Sequence, residues 1–189
     1  MTQPVNPMSW SQTREALRQD RARLAQVLAE VGRPAGALVF HPSYWCVLLY
    51  RLAHHFDRNG HNWLGRLCWH LNLVLTGADI NPPAALGPGL VVLSPAGVAI
   101  MGTAGRNLTV MACAGMGGEI GRREDIGAGP GLALLGDDVV LGPHTGVLGP
   151  VRVGHRVHLR QGLVVTFDVA DDQVVEGGRL RVLRRAMTP

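Results

Sequence analysis

Leu135-Gly-Asp-Asp-Val-Val-Leu141-Gly-Pro-His-Thr-Gly-Val147-Leu-Gly-Pro-Val-Arg-Val153-Gly-His-Arg-Val-His-Leu159-Arg-Gln-Gly-Leu-Val-Val165 carries an aliphatic residue at every sixth position. The same beat runs earlier through Ile80, Leu86, Val92, Val98, Ala104, Val110 and Met116, and an interruption separates the two runs. Glycine follows the anchor at Gly87, Gly105, Gly117, Gly136, Gly142 and Gly154. Such a period fits neither the face of an amphipathic helix nor the alternation of a hairpin ladder. It fits a parallel β-helix, in which each anchor points into the coil and stacks on the anchor of the next, while glycine and Asx residues take the turns.

Working outward, 189 residues make one domain, or a solenoid with an appended subdomain. Three helices are expected before the solenoid. The first is capped at Ser9 or Ser11 and runs to about Val31, with Trp10, Leu17, Leu24, Val27 and Leu28 on its apolar stripe. Arg14, Arg18, Arg21 and Arg23 with Glu15 and Asp20 form its solvated face. Gly32, Pro34 and Gly36 break it.

The second helix starts on Pro42 and closes at Asn59-Gly60. The third, from His61 to about Leu75, has Trp63, Leu64, Leu67, Leu71 and Val74 at helical spacing. The expected organisation is a helical subdomain over residues 1–78, frayed at its start, and a β-helix over 79–183. Residues 117–134 fall outside the beat as an ejected loop, of the length that is usually functional or disordered. Residues 184–189 are a basic tail.

Composition narrows the chemistry. There is no apolar run of membrane-spanning length, and residues 1–7 lack signal-peptide architecture, so a cytoplasmic protein with no membrane partner is expected. Cys46, Cys68 and Cys113 are too few and too irregularly spaced for a disulfide framework or a metal site, and read as packed thiols. All eighteen basic side chains counted as Lys+Arg are arginine, which removes Schiff-base and lysine-base chemistry. The net charge of +4 is scattered and aromatic residues are few, so no nucleic-acid platform is expected. The adjacent His54 and His55 cannot face one metal from a helix.

Three helices feeding a hexapeptide solenoid that opens on Asp79-Ile-Asn-Pro resemble the serine O-acetyltransferase family. The likeness begins at His41-Pro-Ser-Tyr and Tyr50-Arg51-Leu-Ala-His54, and continues through Asp79-Ile-Asn-Pro-Pro-Ala-Ala-Leu-Gly-Pro-Gly. It returns at Leu141-Gly-Pro-His-Thr-Gly-Val-Leu-Gly149 and Gly177-Gly178-Arg179-Leu180-Arg181-Val182. The resemblance implies an α+β fold, a helical subdomain followed by a left-handed parallel β-helix. It also implies a homotrimer with its active site between subunits, acetyl-CoA or another acyl-CoA as co-substrate, and a small-molecule acceptor. The helical part is shorter than is usual in the family, so a plain trimer is expected. The Thr188-Pro189 end differs from the isoleucine tail through which the family engages cysteine synthase, so no such complex is expected.

Acyl transfer to a hydroxyl needs a base for its proton and donors for the oxyanion. The family takes its base from an Asp-His-Ala-Thr-Gly segment, oriented by the aspartate that Asp79 matches. The corresponding stretch here is Leu93-Ser94-Pro95-Ala96-Gly97, and the loop over 117–134 contains no histidine. Serine cannot replace imidazole as a base. The candidate catalytic residues are therefore Asp79, Ser94 and His144, with Glu124 and Asp125 as alternative loop carboxylates.

Gly118 matches the family's Gly-Gly turn. Thr145 aligns with a residue whose amide faces pantetheine, and Leu163 lies one coil later. His158, within the cluster His155, Arg156 and Arg160, could meet the 3′-phosphate of CoA by charge-assisted hydrogen bonds. Cys113 reads as packing. The expected function is an acyl-CoA-dependent acyltransferase with altered catalytic residues and a different acceptor. A catalytically inactive trimeric scaffold or regulatory partner is the alternative.

Overall fold

The computed structural model describes residues 7–30, 32, 35–177 and 181–184. Of the expected frayed start over 1–7, the break at Gly32, Pro34 and Gly36, and the tail over 184–189, residues 1–6, Pro34 and 185–189 lie outside them. Ser9 opens the first helix, α1 (Trp10–Glu30). Its hydroxyl accepts from the Gln12 amide at 3.2 Å while the Gln12 side chain accepts from the Ser9 amide at 2.8 Å, a reciprocal capping box. A 3₁₀ turn over Ala35–Phe40 leads to α2 (Pro42–Arg58), where Pro42 sits in the first turn and His41 caps it. The third helix, α3 (Asn62–Thr76), stops at Gly77, whose φ of 74° is the left-handed cap that glycine adopts at least cost.

The charged face expected on α1 is not wholly solvated. Asp20 is buried and receives the Arg51 guanidinium at 2.8 Å, and Arg23 reaches across to the Gly89 carbonyl at 2.7 Å and the Thr109 hydroxyl at 2.7 Å. The reason is tertiary. Packing on α2 and on the first coil of the solenoid turns one side of the arginine-rich surface onto open backbone carbonyls.

From Asp79 the chain winds into a three-faced parallel β-helix. The first face stacks Asp79–Ile80, Ala99–Ile100, Gly115–Gly117, Gly146–Leu148 and Val164–Val165. The second stacks Ala85–Leu86, Thr103–Ala104, Leu134–Leu135 and Arg152–Val153. The third carries Val91–Val92, Thr109–Val110, Val140–Leu141, His158–Leu159 and Gln173–Glu176 in parallel, with Arg181–Arg184 closing it antiparallel.

All thirteen anchors of the six-residue beat are buried. One of them is out of phase. Ile80 pairs with Ile100, not Val98, and Ile100 pairs with Met116. The turn through Pro95 and Gly97 holds two extra residues and the next turn is shorter by two, so the beat is restored at Ala104.

His54 lies at the junction of helices and solenoid, its Nδ1–H donating to the Pro82 carbonyl at 2.7 Å. Burial pushes its pKa below the ordinary imidazole value of 6.5. The folded chain therefore refuses a proton that the unfolded chain accepts. Stability from this site is complete above pH 6.5 and is lost as the pH falls below it, by at most about 1.4 kcal/mol per pH unit. Urea unfolding at about pH 7 and about pH 5.5 is expected to show this loss, and His54→Gln to reduce it, with the remainder carried by His55, whose pKa burial also lowers. Equal slopes in both proteins would remove His54 as the cause.

Candidate active-site groove

The corner between the third and first faces is built from left-handed residues on successive coils: Gly97 (φ 72°), Cys113 (φ 54°), His144 (φ 56°) and Gly162 (φ 71°). Backbone hydrogen bonds knit this column, with Cys113 N–H donating to Ala96 at 3.2 Å, His144 N–H to Ala112 at 2.9 Å and Gly162 N–H to Pro143 at 2.9 Å. Glycine takes such dihedrals freely, whereas cysteine and histidine adopt them at a cost.

Beside the column runs a groove of about 260 Å³ along the first face. Its floor is Ala99, Gly115 and Gly146, paired in register, and its far wall holds Met101, Gly117 and Leu148. A Cβ placed on Gly146 would meet no atom within 4 Å, so the floor is open above it. Cys113 and His144 form the near wall, and both are exposed.

Of the expected site residues, Gly118, His144 and Thr145 line this groove. Thr145 is buried and its hydroxyl donates to the Arg160 carbonyl at 2.7 Å. Asp79 stands on the same face as the groove floor, two coils below Gly115, and accepts from the Trp69 indole at 2.8 Å. Ser94 is an exposed bend residue leading into the same corner, three positions before Gly97.

Leu163 packs against the core outside the groove lining, and His158 lies on the third face. The basic cluster around His158 is engaged with carboxylates: Arg156 with Asp172 at 2.5 Å, and Arg160 with Glu176 at 3.1 Å. Glu124 and Asp125 belong to the loop over 118–133, which turns back on itself through the Asp125–Pro130 bridge. An Arg152 to Ile126 carbonyl bond of 2.8 Å ties that loop down. Of the loop region only Gly117 and Gly118 line the groove.

Cys113 corrects the reading of packed thiols. Cys46 is buried and Cys68 half-buried, but Cys113 is exposed in the groove wall. The signal for it was present in the repeat. Gly115 and Gly146 each precede an anchor at the outward strand position, and tracing back from them leads to the corner holding Cys113 and His144. A larger hollow of about 640 Å³ lies on the second face. Asp137, Asp168 and Asp171 line it together with Arg152 and His155, a mixed lining in which the carboxylates outnumber the cations, whereas the first-face groove is free of carboxylates. Among the described residues no helix is long and apolar enough to cross a membrane.

No family model matches the chain. It is 32% identical over 154 residues to a serine acetyltransferase of Synechococcus elongatus, an alignment covering 79% of this chain and 60% of that protein. The chain spans about three fifths of the length of the first curated relatives it matches. A serine acetyltransferase structure from Neisseria gonorrhoeae superposes with a TM-score of 0.80 at 20% identity, covering 96% of this chain and 70% of that one. A serine acetyltransferase solved in complex with CoA superposes with a TM-score of 0.79 at 16% identity, covering 92% and 71%. With the strand register, these matches assign the fold as a helical region followed by a left-handed parallel β-helix.

Proposed function

We propose that this chain, serine acetyltransferase-like in sequence and in fold, is an acyl-CoA-dependent acyltransferase with a catalytic arrangement of its own. The acceptor in this reading is a small molecule other than serine, because the segments that hold the family's substrate-binding residues have changed. One observation carries the reading: the glycine-floored groove, in which Gly115 and Gly146 leave a narrow channel between a polar corner and an apolar wall. A pantetheine arm is long, thin and neutral, and fits a channel that any side chain on Gly146 would occupy. The bound thioester supplies an activated acyl carbonyl. In this reading His144 serves as base and Gly118 and Thr145 contribute to the lining, while Asp79, three strands away from Gly146 on the same face and held by the Trp69 indole, lies beyond the reach of His144. The CoA-bound relative shares this fold and supports the assignment.

The loop over 118–133 leaves the groove open, which favours catalysis over a scaffold role. A homotrimer is part of the same proposal. Trp63, Leu67, Leu71, Val74 and Leu75 of α3 are exposed, an apolar stripe that a neighbouring subunit would cover. Calorimetric titration with acetyl-CoA, run on protein whose mass is fixed by light scattering, is expected to give micromolar binding to a trimer. A monomer mass would remove the assembly, and absence of binding would remove the transferase.

A further inference from the structure

The far wall of the 260 Å³ groove is apolar and notched. The inward anchors Ile100, Met116 and Val147 pair in register, so the outward positions that follow them, Met101, Gly117 and Leu148, stand in one column. Met101 and Leu148 are each 40% exposed, two large apolar side chains held toward water. Between them Gly117 has no side chain, and their strands flank it at about 4.8 Å on either side. We propose that this notch takes the acyl chain of the CoA thioester, and that the preferred donor carries a linear chain of about six to eight carbons. The inference rests on the acyl-CoA reading of the groove and names the acyl group that reading leaves open.

The length follows from the strand. From Gly146 on the channel floor to Leu148 in the wall the chain advances two residues, about 7 Å, which about six bonds of an extended chain would span. An acetyl group ends one bond past its carbonyl and stops over the glycine floor. Among the described residues that line the groove there is no carboxylate and no arginine, so a neutral chain strips water from no charge there. Past Leu148 that changes. The Glu119 carboxylate comes within 3.2 Å of where a Cβ on Gly149 would stand, and it pairs with Arg122 at 3.1 Å. A longer chain would run onto that ion pair and desolvate it, which sets the upper limit. The Met101 methyl lies over the notch, its Cε 3.6 Å from a Cβ placed on Gly117. An exposed, unbranched thioether with three rotatable bonds swings aside at small cost.

The test is calorimetric titration of the whole chain with CoA and with acetyl-, butyryl-, hexanoyl-, octanoyl- and decanoyl-CoA. Octanoyl-CoA is expected to bind about 50-fold more tightly than acetyl-CoA, about twofold for each methylene in a notch open on one side, with no further gain at decanoyl-CoA. Gly117→Val fills the notch; the glycine's φ lies outside the left-handed region and valine suits a strand. In that variant the octanoyl-to-acetyl affinity ratio is expected to fall to about one. Leu148→Ser removes one wall at an exposed position and is expected to lower the ratio about fivefold. A wild-type ratio near unity, a gain that continues undiminished to decanoyl-CoA, or a ratio that survives either substitution overturns the chain site and leaves the transferase standing. Failure of CoA and of every acyl-CoA to bind overturns both.

Discussion

Arg51→Leu is expected to lower the unfolding free energy by about 3–5 kcal/mol, among the largest single-site effects in the chain. Arg51 and Asp20 are 2% and 3% exposed, and the pair is held by contacts of 2.8 and 3.1 Å. The guanidinium also donates to the Leu86 carbonyl at 2.6 Å and the Gly87 carbonyl at 2.7 Å, while Asp20 accepts from the Leu90 amide at 2.8 Å. Two helices and the first coil therefore meet at one ion pair. Removing the arginine strands a buried carboxylate and leaves two carbonyls without their donor, and each loss carries its full desolvation cost.

The double variant Asp20→Leu with Arg51→Leu is expected to be less damaged than the sum of the single variants, because it removes the stranded charge. Urea unfolding at one protein concentration measures all three. A loss below about 1 kcal/mol in Arg51→Leu would show that water reaches the pair.

That clamp also marks where the sequence stops being legible. The solenoid is readable because its geometry is local and repeated: an inward anchor in each short strand, of which Leu141 and Leu159 are fully buried examples. Helix ends are readable for the same reason, since Ser9 with Gln12 and Pro42 act within one turn. Asp20 stands among arginines on a helix and looks like a solvated charge, and its partner lies 31 positions away. Nothing local distinguishes it from Glu15, which does pair on the surface, with Arg18.

Val98 misled by a different route. It keeps the beat and is buried, but two inserted residues pass the stacking position to Ile100. Cys113 was hidden by composition, because a lone thiol in an apolar stretch reads as core. Only the coil geometry turns its corner outward and puts His144 at the same corner of the next coil.

Gly146→Phe is expected to abolish acyl-CoA binding, by about 100-fold or more, equivalent to about 2.8 kcal/mol, while leaving the fold intact. The two halves of that expectation have separate causes. Gly146 occupies an outward strand position, its φ lies outside the left-handed region, and an added Cβ meets nothing within 4 Å. A phenyl ring is well suited to a strand, so unfolding should shift by no more than about 0.5 kcal/mol. The ring then lies across the floor of a 260 Å³ groove and takes the space of the ligand.

Gly115, its register partner one coil below, is the contrasting position. A Cβ there would run onto the Ala99 carbonyl oxygen, so Gly115→Ala would disturb the coil itself, and loss of binding in it would be ambiguous. Calorimetry and urea unfolding on Gly146→Phe separate ligand exclusion from misfolding. Retained affinity in a folded Gly146→Phe would move the acyl-CoA site off the first face. The second-face hollow, lined by Thr103, Leu134 and Arg152, would then be the place to substitute next.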